Sequence, residues 1–329
     1  MAPSPSRRAQ QGAAILMAML TVVLVATLAS GALWQQWRAV EVESAERARA
    51  QSSWVLGGAL DWARLILSED GRKGGSDHLG EPWAIPLEQA RLSTFLAADR
   101  SDALVADAST NAFLSGQISD LQARLNVRNL VQDDGKVHAP TLRVWERLFS
   151  QLGLQRSQLD TLVTQLTRAQ SASADGPLWP QDPEQLAWLG LDATTVSRLS
   201  PYVTVLPERT PVNLNTASAT VLSACLDGLT PSDAQRLLQV RRLKPWGSLD
   251  EVKTAARLPS LALDAQRMGL STRFFALQGA LQIEGKTVQE YSVVQRDGTR
   301  VQALWRKRPL PLIATTRQGT PPSTMPTDF

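Results

Sequence analysis

The feature that most constrains this chain is an uncharged apolar run near its N-terminus. No charged residue occurs between Arg8 and Arg38, and positions 13–33 are nearly all Ala, Val, Leu, Ile or Met. As a helix rising about 1.5 Å per residue, this run just spans a hydrocarbon core of about 30 Å. A secretory signal has a shorter apolar core of about 7–15 residues and ends in a small-x-small cleavage site. Here no Ala-x-Ala site followed by loop-like sequence closes the run. The sequence therefore predicts a membrane-spanning helix.

The residues on either side of the run predict its orientation. Arg7 and Arg8 precede it, and the positive-inside rule keeps such residues in the cytoplasm. Trp34 and Trp37 follow it, where indole rings favour the headgroup layer. We therefore expect the bulk of the chain on the far side of the membrane.

The helical pattern continues beyond the predicted span. Residues 38–70 contain no proline, and Val55, Ala59, Trp62 and Ile66 recur with the spacing of one helical face. Two arrangements fit this pattern. Either a membrane helix precedes a separate domain helix, or a single helix of about 55 residues has its second half packed on a globular head.

The N-terminal region resembles the type IV pilins and the pseudopilins of type II secretion. It has a short basic leader ending in Gly12, an apolar helix and then an amphipathic helix. The resemblance implies that a prepilin peptidase cuts between Gly12 and Ala13 on the cytoplasmic side. It also implies that the new N-terminus is methylated and that the apolar helix stays in the mature protein.

One departure from the pilin pattern is informative. Most pilins carry a glutamate at the fifth mature position, and counting from Ala13 that position here is Met17. In the family this carboxylate pairs with the N-terminal ammonium of the subunit assembled ahead, because an unpaired charge in an apolar core is costly. A subunit without it can accept a partner below but cannot dock beneath another. In this respect the chain resembles the K family of minor pseudopilins.

The rest of the sequence predicts an α+β head with a helical insert. Segments 279–284, 287–295 and 299–306 alternate apolar with polar residues between short turns, which is typical of an antiparallel meander. Shorter strand patterns occur within 92–130. The intervening residues show helical spacing instead, for example over 141–154 and 157–170.

We therefore expect a long N-terminal transmembrane and amphipathic helix and a pilin-like antiparallel-sheet head interrupted by an all-helical insert. This order, with "ARLNVRNL" at 123–130 and "PVNLNTAS" at 211–218, again resembles the K family. The expected parts are a leader 1–12, a pilin helix 13–70 (13–34 transmembrane), a head from 71–131 and 272–310, an insert 132–271 and a disordered tail 311–329.

The resemblance also implies a place and partners for the chain. It implies a single-pass protein of the inner membrane with its C-terminal head in the periplasm. The implied partners are minor pseudopilins of the I and J types, the prepilin peptidase and the inner-membrane secretion platform. The implied role is at the tip of the secretion pseudopilus, starting its assembly and helping to export folded proteins.

A second function remains open, because residues 211–255 resemble the helix-hairpin-helix modules that bind DNA, notably in competence proteins. The hairpin here reads Gly228-Leu229-Thr230. The second glycine of such hairpins is missing, and a threonine Cβ hinders backbone approach to a phosphate. Four cations follow: Arg236, Arg241, Arg242 and Lys244. A membrane-anchored DNA-binding protein of competence type is thus the alternative, although nearby carboxylates favour a packing role and no nucleic-acid partner.

The sequence offers no catalytic pattern, so we expect a non-enzymatic component. Cys225 is the single cysteine, which excludes an intrachain disulfide and favours a buried side chain. His78 and His138 lie far apart in polar stretches. Pseudopilins as a class often bind calcium, which makes calcium a candidate ion. Asp133-Asp134-Gly135 is interpreted as a turn, and no ligands are assigned.

Overall fold

The computed structural model describes residues 7–92, 112–171, 176–258, 263–283 and 286–308. The expected tail 311–329 and part of the expected leader lie outside these residues. Helices and strands follow in chain order: α1 (Arg7–Lys73), β1 (Leu87–Arg91), β2 (Ala112–Asp120), β3 (Leu125–Asn126), α2 (Ala139–Gln151), α3 (Arg156–Gln170), α4 (Ala193–Leu199), β4 (Val203–Thr204), β5 (Val212–Asn213), α5 (Ala219–Cys225), α6 (Pro231–Leu243), α7 (Leu249–Ala256), β6 (Met268–Gly269), β7 (Phe274–Ile283), β8 (Lys286–Asp297) and β9 (Arg300–Lys307).

Helix α1 confirms the single-helix arrangement, since its 67 residues run without interruption. Among the described residues it is the one helix long and apolar enough to cross a membrane, judged by length and composition. The chain divides into two compact units, Met1–Gly57 and Gly58–Phe329. In the first unit, every side chain from residue 14 to residue 47 is exposed. An apolar helix surface of this kind is stable only in lipid or against other apolar helices.

The second unit contains a five-stranded antiparallel sheet in the order β1-β2-β7-β8-β9. The predicted meander is therefore present. Strand β7 begins at Phe274 rather than at 279, because its first four residues are all apolar and buried and so do not alternate between apolar and polar. Side chains alternate between the two faces of the sheet. Phe275 and Leu277 on one face pack with Leu60 and Leu67 of α1.

The buried stripe of α1 differs by about one residue from the predicted one. Leu60 and Leu67 are buried, whereas the predicted Trp62 is half exposed. Both stripes have helical spacing in the sequence, so only the packing against the sheet decides between them.

The helices between β3 and β6 enclose the largest apolar core of the described residues, which includes Trp145, Phe149, Leu162 and Leu222. Helices α2 and α3 confirm the predicted helical segments. The Thr230-Pro231 pair predicts the start of a helix, and Thr230 begins α6 with a capping box. By residue type, Asn215 or Thr216 is predicted to cap α5. That prediction is wrong, because Ser218 accepts the hydrogen bond from the Val221 N–H.

The last turns of α1 dock closely on the β8–β9 hairpin. Arg64 Nη2 donates to the Val301 carbonyl at 2.6 Å, and Ser68 Oγ donates to the Thr299 carbonyl at 2.7 Å. A Cβ on Gly71 would lie only 2.2 Å from the Gly298 carbonyl oxygen. The absence of a side chain at Gly71 therefore lets helix and hairpin approach at backbone distance.

We predict that Gly71→Ala lowers the free energy of unfolding by about 1–3 kcal/mol, because the new methyl must displace backbone. Gly58→Ala is the matched control, since a Cβ there meets nothing within 4 Å. It should raise stability by up to about 1 kcal/mol through helix propensity. Denaturant unfolding of the two variants in detergent measures both effects, and equal stability would contradict the docking.

Candidate functional sites in the anchor helix and the head

The three residues predicted for processing and register, Gly12, Ala13 and Met17, all lie on α1. Ala13 and Met17 are four residues apart and therefore share one helix face. The Met17 side chain is 66% exposed. The first acidic residue of the chain is Glu41, which lies beyond the span, so the span itself contains no acidic residue. The anchor therefore presents no carboxylate at the level of Met17.

Both threonines of this span form hydrogen bonds within the helix. Thr21 Oγ1 donates to the Ala18 carbonyl at 2.8 Å, and Thr27 Oγ1 donates to the Leu24 carbonyl at 2.9 Å. Such back-bonding removes the cost of placing a hydroxyl in an apolar medium. The outer surface of the anchor is therefore chemically apolar, including its threonines.

A buried polar junction joins the sheet to the helical region. Asp120, at the end of β2, accepts hydrogen bonds from the Gln122 N–H at 2.6 Å, Thr216 Oγ1 at 2.6 Å and Asn213 Nδ2 at 2.9 Å. Asn213 Nδ2 also contacts the Asp77 carbonyl at 3.1 Å. Burial raises the pKa of Asp120 to about 6, although the hydrogen bond from Thr216 favours its charged form.

The junction explains the segment "PVNLNTAS", on which part of the resemblance to the K family rests. Asn213 and Thr216 bind Asp120, while Asn215 donates to the Trp246 carbonyl at 2.9 Å and accepts from its N–H at 3.0 Å. These side chains are committed to long-range contacts, which is why they do not cap α5. Sequence analysis missed this role, since no local pattern links position 120 to position 216.

An acidic cluster lies at the C-terminal end of α1, with one member in the last turns of the helix and two in the segment that follows. Carboxylate oxygens of Asp70, Asp77 and Glu81 lie within 4.8 Å of one another. Arg296 from β8 forms short ion pairs with both Asp70 and Asp77 and donates to the Thr272 carbonyl at 3.0 Å. The two ion pairs join residues more than two hundred positions apart in the chain, so no local sequence pattern predicts them.

Calcium is the ion that the pilin resemblance implies, and this cluster of carboxylates is the candidate site for it. Calcium takes about 6–8 oxygen ligands. Here the Arg296 guanidinium already supplies the positive charge between Asp70 and Asp77. Glu81 Oε2 accepts from the His78 N–H and from Trp83 Nε1, both at 2.8 Å. The cluster fits a guanidinium and not a calcium ion.

The Asp133-Asp134-Gly135 segment forms a turn, as interpreted from the sequence. Asp134 Oδ1 accepts from the Lys136 N–H at 3.0 Å, and Gly135 has a φ of 79°. Asp133 pairs with Arg209 at 2.5 Å. Each carboxylate therefore has a basic partner, which gives no support to a cation site.

The helix-hairpin-helix-like segment uses its cations internally. Arg241 is buried and its Nη1 donates to the Leu214 and Ala217 carbonyls at 2.6 and 2.8 Å. Burial lowers the pKa of Arg241 to about 10. Arg236 Nη1 donates to the Ala255 carbonyl at 3.0 Å. The expectation that Arg241 contributes positive charge at a DNA-binding surface is therefore wrong. Of the four cations, Arg242 and Lys244 are exposed.

The start of α6 is also poorly suited to a phosphate. Thr230 Oγ1 accepts from the Asp233 N–H at 3.2 Å, and Asp233 Oδ2 accepts from the Thr230 N–H at 3.4 Å. A carboxylate thus occupies the helix N-terminus at which a DNA phosphate would bind.

The remaining candidate residues have local roles. Cys225 is buried as expected, and burial raises the pKa of its thiol to about 12. His78 Nδ1 accepts from the Gly80 N–H at 3.1 Å, and His138 Nδ1 bonds Thr141 Oγ1 at 2.7 Å. His78 also contacts the acidic cluster, because its backbone N–H donates to Glu81 Oε2.

Comparisons with known proteins agree with this fold. Two family models described as "Type II secretion system (T2SS), protein K" match residues 212–273 and 123–208. A Type II secretion system protein K of Pseudomonas aeruginosa is 26% identical over 88% of this chain and 90% of its own length. One of Klebsiella pneumoniae is 28% identical over 87% of this chain and 96% of its own length.

A solved structure shows the same fold at low identity. It is the crystal structure of the GspK-GspI-GspJ complex from the enterotoxigenic Escherichia coli Type 2 Secretion System. The TM-score is 0.62 with 18% identity, covering 81% of this chain and 98% of that one. The α+β fold class and the resemblance to the K family are thereby confirmed. This family is not a known family of enzymes.

The Asp120 junction predicts a pH dependence of stability. The pKa of the Asp120 carboxyl rises from 3.8 in the unfolded chain to about 6 in the folded protein. The protonated carboxyl therefore contributes its full stabilisation only at a pH below the pKa of the unfolded chain. That contribution is lost as the pH rises through about 6. The unfolding free-energy difference between the wild type and Asp120→Asn should therefore be about 2 kcal/mol larger at about pH 4.5 than at about pH 7.

Denaturant titrations at the two pH values measure this difference. Asp134→Asn is the matched control, because hydrogen bonds from Lys136 lower the pKa of Asp134. Its effect should hardly change over this range. A gap between wild type and Asp120→Asn that stays constant or narrows on acidification would contradict the junction.

Proposed function

We propose that this chain, which resembles the protein K family over most of its length, is a minor pseudopilin at the tip of a type II secretion pseudopilus. Its sequence similarity to protein K proteins and its fold support the assignment to such a system. The observation that carries the tip position is Met17, an exposed apolar side chain in a span without a carboxylate.

The anchor supports a location in the inner membrane with the head in the periplasm. Arg7 and Arg8 precede the span and would remain in the cytoplasm. The prepilin peptidase would remove both arginines by cutting between Gly12 and Ala13. The mature chain would then begin with a methylated amine followed directly by the apolar helix.

The position in the filament follows from charge pairing. In a shaft subunit, a carboxylate at the fifth mature position neutralises the ammonium of the subunit ahead. Met17 offers no such group, and leaving the ammonium unpaired in an apolar core would cost on the order of a few kcal/mol. The chain would therefore be disfavoured at every site except the first. Its own ammonium at Ala13 can still pair with a subunit below.

The head supports the same position. Helices α2–α7 add a second apolar core to the sheet, which makes the head far larger than a compact pilin head. At the tip of a filament nothing lies above such a head. The neighbouring subunits would be minor pseudopilins of the I and J types, by analogy with the proteins named in the solved complex. Together they would start assembly on the inner-membrane platform and cap a filament that helps to export folded proteins.

We predict about one copy of this chain per filament, whatever the filament length. Quantitative mass spectrometry of sheared filaments, sorted by length, measures this ratio. Met17→Glu should bring no gain in secretion, because the tip has no ammonium ahead for the new carboxylate. Met17→Leu is the matched apolar control. Copy numbers that rise in proportion to filament length would place the chain in the shaft and refute the proposal.

A further inference from the structure

A groove of about 850 Å³ lies between the sheet and the helical region, within the second unit. One wall is the sheet face that points away from α1, with Gln117, Gln278 and Tyr291. The opposite wall includes Asp182 and Thr204. The groove is open to solvent along its length and does not include any of the predicted site residues.

Arg124 lines this groove and is held there by its backbone. It follows the 3₁₀ turn Leu121–Ala123 in extended conformation. The next residue, Leu125, donates its N–H to the Tyr202 carbonyl at 2.9 Å and is buried in the helical core. Neighbouring side chains of an extended segment point in opposite directions. The burial of Leu125 therefore directs Arg124 into the groove.

Arg124 differs from the other cations of the groove because it has no counter-ion among the described residues. Lys307 pairs with Asp182, and Arg308 Nε contacts Glu290 at 2.9 Å. Within the part of the chain that the structure describes, no carboxylate oxygen lies within 4.0 Å of the Arg124 guanidinium. No group there accepts a hydrogen bond from this guanidinium either. Burial lowers the pKa of Arg124, an effect that Tyr291 and Asp120 only partly oppose. A cation withdrawn from water and left unpaired is costly.

The rest of the wall suits a polypeptide backbone. Gln117 Nε2 donates to Gln278 Oε1 at 2.8 Å, and the amide of Gln289 also lines the groove. A row of side-chain amides leaves both donors and acceptors available, as peptide groups require. Tyr291 and Trp305 add an aromatic pair with ring centroids 5.4 Å apart, which provides apolar contact beside the amides.

We propose that this groove binds an extended peptide segment of a partner protein and that an acidic side chain of the segment pairs with Arg124. Charge complementarity selects the ligand, because Arg124 is a partly buried cation without a counter-ion among the described residues. A carboxylate also matches the planar fork of a guanidinium, which can donate two parallel hydrogen bonds. The site is separate from the anchor helix and does not depend on the tip position of the chain.

The test is the binding of two labelled peptides to the full chain in detergent. One probe is a capped peptide of glycine, serine and glutamine with a single central glutamate, labelled with a zwitterionic rhodamine. Its twin carries glutamine in place of the glutamate. Fluorescence anisotropy should show at least about tenfold tighter binding of the acidic peptide, as expected for a charge-assisted pair in a partly buried site.

Arg124→Gln should abolish this preference, while Arg242→Gln, at an exposed arginine of α6, should preserve it. Equal binding of the two peptides by the wild type would overturn the proposal. The same preference in Arg124→Gln would overturn it as well.

A stability measurement separates a ligand site from an internal ion pair. Arg124→Met should leave the unfolding midpoint unchanged or raise it, because the substitution removes an unpaired cation. Arg296→Met is the control and should lower the midpoint, because it leaves Asp70 and Asp77 buried without their partner. A comparable loss in Arg124→Met would show that Arg124 already has a counter-ion within the chain, which would overturn the proposal.

Discussion

The architecture of the head depends on one buried carboxylate, Asp120. Because burial removes it from water, it must be satisfied by donors from the protein. Those donors come from its own turn and from Asn213 and Thr216. The end of β2 is thereby fixed against the helical region, and Asp77 joins the same contact through its carbonyl. The groove lined by Arg124 lies between the same two parts of the head.

Several elements could be predicted from the sequence because their signals are local. The apolar run of α1 and the alternation of β7, β8 and β9 follow from periodicity over a few residues. Thr230 was identifiable as a cap because its bonds are made within one turn. The place of Met17 on the anchor helix follows directly from chain position.

The rest could not be predicted because it depends on residues far apart in the chain. Arg241 follows a helix-hairpin-helix-like pattern, but its guanidinium is used by the carbonyls of Leu214 and Ala217. Asn215 is a good capping residue by type, yet Trp246 binds its side chain. Nothing near Arg124 in the sequence indicates a groove. In each case a tertiary contact overrides a plausible local role.

The central claim is that the apolar helix is retained as the filament-forming part of the mature protein. The intact mass of the chain isolated from membranes tests it most directly. We expect a mature chain that starts at Ala13 and carries one added methyl group. Gly12→Val should keep the leader, because a β-branched residue cannot adopt the conformations open to glycine. A mature chain beginning beyond residue 30 would mean a conventional signal peptide and would contradict the account.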